Sequence, residues 1–219
     1  MGKSSVGYTA EDFGDDYWLT STESGVARAD RDGTQVATYF NTLFNLLPST
    51  RGPILDIGAG VGHLVFDMQQ AGINASGCEF SPSGRRIATE RFGIELSSCN
   101  LKDRLPYATD QFAWSYCNGV LSMIPHEFLA HAVSEILRVA KWGTLVMINT
   151  YIGEQTEGYP HHITGISSLD WWRIFKEAGA YDWTALLPPQ RQPFGLGVAT
   201  IDFAALFSKS AMPPGGSGR

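Results

Sequence analysis

Residues 53–65 read PILDIGAGVGHLV. Pro53 to Ile57 form a short apolar-leaning run closed by glycine, which predicts a buried strand. Gly58, Gly60 and Gly62 follow at alternate positions, and a helical pattern opens at His63. Glycine lets a backbone turn tightly and lets a ligand approach with no Cβ in the way. In open α/β sheets ligands bind beyond the carboxyl ends of the strands, so this loop is the first candidate for a binding site. The dinucleotide fingerprint G-x-G-x-x-G puts its third glycine at position 63, which is His63 here. A phosphate loop closes on Gly-Lys-Ser/Thr, and none is present. Asp56 stands two positions before the first glycine. A carboxylate there suits an ammonium group better than a pyrophosphate.

Outward from this loop, strand and helix signals alternate. GHLVFDMQQAG reads as a helix closing at Gly72, and NASGCEF as a second strand. SPSGRRIATERFG reads as a helix with Ser81 as N-cap, Pro82 at its first position and Gly93 past its end. IELSSCN and FAWSYCN read as the third and fourth strands, residues 126–140 as a helix, and GTLVMINTY as the fifth strand. SLDWWRIFKEAG reads as a further helix; YDWTALLP and GVATIDFAALF read as a closing pair of strands. Before the loop, Val36, Phe40, Leu43, Phe44 and Leu47 recur at helical spacing up to Pro48. This alternation predicts a mostly parallel sheet covered on both faces, in one domain over residues 1–208. Residues 1–33 are polar and turn-rich, with aromatics including Tyr17 and Trp18; residues 209–219 read as a disordered tail.

Two further stretches give the glycine loop company. Glu79 falls about twenty residues after Gly58 at the end of the second strand, where a carboxylate can hold ribose hydroxyls. Phe80 follows, an aromatic face for a base. After the third strand comes CNLKDRLPYATDQFAWSYCNG. Asp56 with G-x-G-x-G, Glu79, and Leu105-Pro106-Tyr107 followed by Asp110 and Phe112 resemble the motifs of class I S-adenosylmethionine (SAM)-dependent methyltransferases, over roughly residues 35–150. The resemblance implies a Rossmann-like three-layer α/β/α sandwich with a seven-stranded sheet, mostly parallel, whose last strand is antiparallel. It implies SAM as cofactor, with S-adenosylhomocysteine (SAH) as product. Carried over residue by residue, cofactor contacts fall on Asp56, Gly58, Ala59, Gly60, Gly62, Glu79, Phe80, Asn100, Leu101, Cys117 and Asn118, with Tyr17 in a lid-like N-terminal segment. Asn100 replaces the family's common Asp yet still offers a carbonyl acceptor. Ala113 and Ser122-Met123 depart from the family's usual Asp and Glu-His, so no catalytic His stands at 123.

The acceptor side points to YIGEQTEGYPHHITGISSLDWW, where His161 and His162 adjoin in a chain with five histidines. Imidazole is the side chain best suited to proton transfer near neutral pH. His162, then His161, are the expected general bases, and a base favours a hydroxyl oxygen as the methyl acceptor. A nitrogen acceptor, a SAM-binding partner or sensor without catalysis, and an NAD-dependent oxidoreductase are the alternatives.

Composition narrows the partners. The formal net charge of −6 and the absence of a basic run disfavour nucleic acid and favour a small molecule. Apolar residues at 43% and charged residues at 17% are those of a globular chain, monomeric or homodimeric. No stretch is long and apolar enough for a membrane span or a signal core, and Val6 breaks a myristoylation pattern, so a cytoplasmic protein is expected. Cys78, Cys99 and Cys117 lie in no C-x-x-C pair. They are expected as buried free thiols, with no metal site.

Overall fold

The computed structural model describes residues 8–20, 34–150, 166–186 and 201–211. His161 and His162 lie outside them. Seven strands form one sheet: β1 (Ile54–Ile57), β2 (Ala75–Glu79), β3 (Ser97–Ser98), β4 (Phe112–Asn118), β5 (Ala140–Thr150), β6 (Tyr181–Asp182) and β7 (Ile201–Ser208). Their spatial order is β3-β2-β1-β4-β5-β7-β6. β3, β2, β1, β4 and β5 pair in parallel, while β7 runs antiparallel to both β5 and β6. This is the expected seven-stranded Rossmann-like sandwich. The order reverses between β1 and β4, so the chain leaves those two strands in opposite directions and opens a crevice beyond their carboxyl ends.

Among the described residues there are six helices: α1 (Asp15–Leu19), α2 (Thr34–Leu46), α3 (His63–Gln70), α4 (Pro82–Phe92), α5 (His126–Val139) and α6 (Ser168–Glu177). Two apolar layers result. On one face α2 and α3 bury Val36, Phe40, Phe44 and Met68 against Ile54, Trp114, Tyr116 and Leu145. On the other, α5 and α6 bury Val133, Ile136, Trp171 and Phe175 against Leu55, Ile57, Val146 and Phe207. Strand side chains alternate between faces, so Asp56 shares the side of Ile54 and departs from the apolar pattern of its neighbours. The predicted caps of α4 form as expected. The Ser81 hydroxyl accepts the Gly84 N–H at 3.0 Å, Pro82 opens the helix, and Gly93 closes it at φ 67°.

Two expectations are corrected. YDWTALLP is not a full strand: β6 is two residues long and gives way to a 3-10 turn over Thr184–Leu186. The Asp182 carboxylate accepts the Thr184 N–H and Trp183 buries itself in the α2–α3 layer, which bends the chain off the sheet edge. Within the turn-rich N-terminal stretch, Ala10–Phe13 form a 3-10 turn and Asp15–Leu19 form α1. Cys78 and Cys99 are not free thiols. Cys78 on β2 and Cys99, just past the end of β3, have Cα atoms 5.7 Å apart and are joined as a disulfide, leaving Cys117 free and buried. An odd count does not forbid one pair, and only strand register could show which two meet.

Candidate cofactor site

The glycine loop is built by β1, α3 and β2. Gly58, Gly60 and Gly62 all take positive φ, at 76°, 59° and 77°. At Gly60 the reason is also steric: a Cβ there would lie 2.9 Å from the Trp18 ring. At Gly58 it would run into Val120, which follows β4.

The loop's amides are already engaged. Gly58 and Ala59 both donate to the Cys78 carbonyl at 2.9 Å, and Gly62 donates to the Ala59 carbonyl at 2.9 Å. The Gly60 N–H donates to Glu79 Oε2 at 2.8 Å. A phosphate-binding loop works by presenting such donors to an anion. Here these four point into the protein, and two carboxylates stand beside them.

Asp56 is 1% exposed, and its Oδ2 has no hydrogen-bond partner among the described residues. Burial, then the nearby Glu79 charge, push its carboxyl up to about 8. Glu79 is likewise buried. Its Oε1 accepts the Ser81 N–H at 2.7 Å, so its carboxylate spans from the glycine loop to the start of α4. Burial raises its pKa, and the Ser81 and Gly60 amides partly offset that rise. A buried acid without a partner is costly unless it is neutral or meets a cation. Tyr116, opposite Asp56 in the β1–β4 register, is fully buried, and its hydroxyl is held well above the usual range by burial and by Asp56.

The structure brings Asp56, Gly58, Ala59, Gly60, Gly62, Glu79 and Phe80 together at the carboxyl ends of β1 and β2. Tyr17 joins them through an aromatic cluster in which Phe13, Trp18, Val61 and Ile87 are buried, with Tyr17, Phe80 and Met123 packed against it. Tyr17 meets Trp18 edge-on at 4.7 Å. The indole N–H of Trp18 donates to the Phe13 carbonyl at 3.0 Å, and the Ser81 hydroxyl donates to the same oxygen at 2.6 Å. Asp15 and Arg86 add an ion pair at 2.6 Å. Residues 8–20 therefore lie on the glycine loop and on α4.

Asn100 and Leu101 stand past β3. The Asn100 side-chain carbonyl accepts the Lys102 N–H at 3.0 Å, and Leu101 is buried in the α5 layer. Cys117 packs its thiol in that same layer, and burial pushes the thiol far up. Asn118 is half-buried at the end of β4 and bonds the Tyr116 hydroxyl. Sequence reasoning missed the Glu79–Gly60 bond and the seat of Trp18 on Gly60. Both join segments far apart in the chain, and no local signal marks either. Among the described residues no group of His, Cys, Asp and Glu could hold a metal ion, and no helix is long and apolar enough to cross a membrane.

The sequence model of a methyltransferase domain matches residues 54–143. No curated protein matches the chain. Among solved structures, 1,6-didemethyltoxoflavin-N1-methyltransferase of Burkholderia thailandensis is 14% identical with a TM-score of 0.60, covering 91% of this chain and 85% of that one. Magnesium protoporphyrin IX methyltransferase of Synechocystis PCC 6803 is 15% identical with a TM-score of 0.58, covering 81% and 83%. A TehB-like SAM-dependent methyltransferase of Corynebacterium glutamicum is 17% identical with a TM-score of 0.58, covering 84% and 91%. At these identities the structures establish the fold, and the domain match adds a likeness confined to residues 54–143. Residues 54–143 match the model of a methyltransferase domain, and the fold of the chain is that of solved SAM-dependent methyltransferases.

Proposed function

We propose that this chain transfers a methyl group from SAM to a small-molecule acceptor, at a hydroxyl oxygen. The observation that carries the reading is the buried Asp56 carboxyl, whose Oδ2 has no partner among the described residues, beside a glycine loop four of whose amides already donate within the protein. Such a site attracts a cation and offers a phosphate little. It fits SAM: Asp56 would hold the amino-acid ammonium, the end of Glu79 and Phe80 the ribose and base, and Asn100 and Leu101 the far side of the base. Bound there, SAM supplies an activated methyl on a sulfonium.

The remaining work falls to the chain's own residues. They must orient the acceptor in line with the breaking bond, exclude water and take the acceptor's proton. Tyr17 and Trp18 present aromatic faces to the loop, and such faces attract cations. His162, with His161 beside it in sequence, is proposed to take the proton. The acidic net charge supports a small acceptor over a nucleic acid. Two fold neighbours are named for 1,6-didemethyltoxoflavin and for magnesium protoporphyrin IX, which agrees with a small acceptor.

The test is SAH release from SAM across a panel of hydroxylated and amino small molecules. A hydroxyl acceptor should emerge, and His162→Ala should lower kcat on it by roughly 10²-fold or more. An unchanged kcat removes the histidine from the reaction, and turnover only of amines replaces oxygen with nitrogen. SAH binding without turnover of any acceptor would make the chain a SAM-binding module.

A further inference from the structure

Between β3 and β4 the chain returns from the sheet edge to its centre through residues 99–111, which contain no helix. A helix would satisfy its own backbone; an irregular crossover on a buried face must find partners elsewhere. Leu105 is 1% exposed and packs under α5, so its polar backbone atoms are in that position.

The partners come from one pair of side chains on α5. The Leu105 N–H donates to Glu135 Oε2 at 2.8 Å. Arg138 donates from Nη2 to the Leu105 carbonyl at 3.1 Å and from Nη1 to the Tyr107 carbonyl at 2.8 Å. The two side chains are joined as a fork, Nε to Oε1 at 2.6 Å and Nη2 to Oε2 at 2.7 Å. Both are largely buried, at 8% and 15% side-chain exposure. The Asp110 N–H closes the set on the Arg138 carbonyl at 2.9 Å. This geometry gives Leu105-Pro106-Tyr107 a physical role: its backbone is the handle by which α5 grips the crossover. Asn100 and Leu101 begin that same crossover at the carboxyl end of β3.

We infer that Glu135 and Arg138 are positioning residues for the base-binding end of the cofactor site, acting through the backbone of residues 100–107. The inference rests on Asn100 and Leu101 facing the adenine. Both α5 side chains spend their hydrogen bonds on each other and on the crossover backbone. Their removal should loosen recognition of the base and leave the Asp56 end intact. A planar fork is what the three contacts require, so Arg138→Lys, with its single point charge, is not equivalent.

The experiment is calorimetric binding of SAH and of its hypoxanthine analogue, S-inosylhomocysteine, to the full chain and to Glu135→Gln, Arg138→Lys and Asn100→Ala. Thermal unfolding is recorded alongside. The conservative variants at 135 and 138 keep a side chain of similar size, so a folded protein remains to be measured. Wild type should prefer SAH. Glu135→Gln and Arg138→Lys should weaken SAH about tenfold and bring the ratio of the two affinities toward one. A fall in unfolding temperature with both affinities unchanged, or lowered equally, means a purely structural pair and overturns the inference. Asn100→Ala separates the underlying reading. If it leaves the ratio untouched, the adenine does not face this crossover; if it abolishes the ratio while the α5 variants do not, the positioning role alone fails.

Discussion

Asp56 concentrates the chemistry of the site in one buried carboxyl. Its folded pKa, about 8, lies above the ordinary value of 3.8. Such a group favours folding most below about pH 4, and that contribution is lost as pH rises to about 8. Asp56→Asn stays neutral throughout. At pH 8 the ligand-free variant should therefore unfold at a higher temperature than wild type, with the gap closing at low pH. The same residue should make cofactor binding pH-dependent. An ammonium pairs with the ionised form, so below pH 8 binding must expel a proton. The SAH dissociation constant should fall by up to about tenfold per unit between pH 6 and 8. In Asp56→Asn binding should be weak and nearly flat with pH. Calorimetry in two buffers of different ionisation enthalpy would count the proton directly. Gly60→Val is the steric counterpart: a branched side chain at positive φ meets the Trp18 ring, so binding and stability should fall together.

At the scale of elements, what the sequence made legible was local. Continuous apolar runs marked β1 and β4, because strands buried on both faces need no alternation. Ser81, Pro82 and Gly93 marked α4, because caps are read within one turn of the helix. Contacts that join distant segments were not legible. The Cys78–Cys99 bond depends on how β2 and β3 align, and the seat of Trp18 depends on how α1 returns to the loop. Each carries its own prediction. The disulfide closes a separation of 21 residues; reduction, or Cys99→Ser, should cost about 3 kcal/mol in urea unfolding. The N-terminal segment should be held by Trp18 far more than by the exposed Asp15–Arg86 pair, since solvent and salt screen an exposed pair. Trp18→Ala should speed proteolysis within the first 33 residues several-fold, while Asp15→Ala should change it little.

For the whole molecule, the reversal of strand order between β1 and β4 decides where the site lies. The residues proposed for the cofactor, on or just after β1, β2 and β3, converge at one end of the sheet because parallel strands all present their carboxyl ends there. The motifs located that end from sequence because they sit at strand termini, where spacing along the chain becomes proximity in space. The acceptor side is set by loops, which vary on a fixed scaffold, so spacing says little about them. The central claim is that the glycine loop, lacking the dinucleotide pattern at His63 and flanked by Asp56 and Glu79, is a site for SAM. Calorimetry of the full chain with SAH and, separately, with NADH tests it most directly. Saturable one-to-one binding of SAH with no NADH heat, lost in Asp56→Ala, is the predicted result; NADH binding without SAH binding would contradict it.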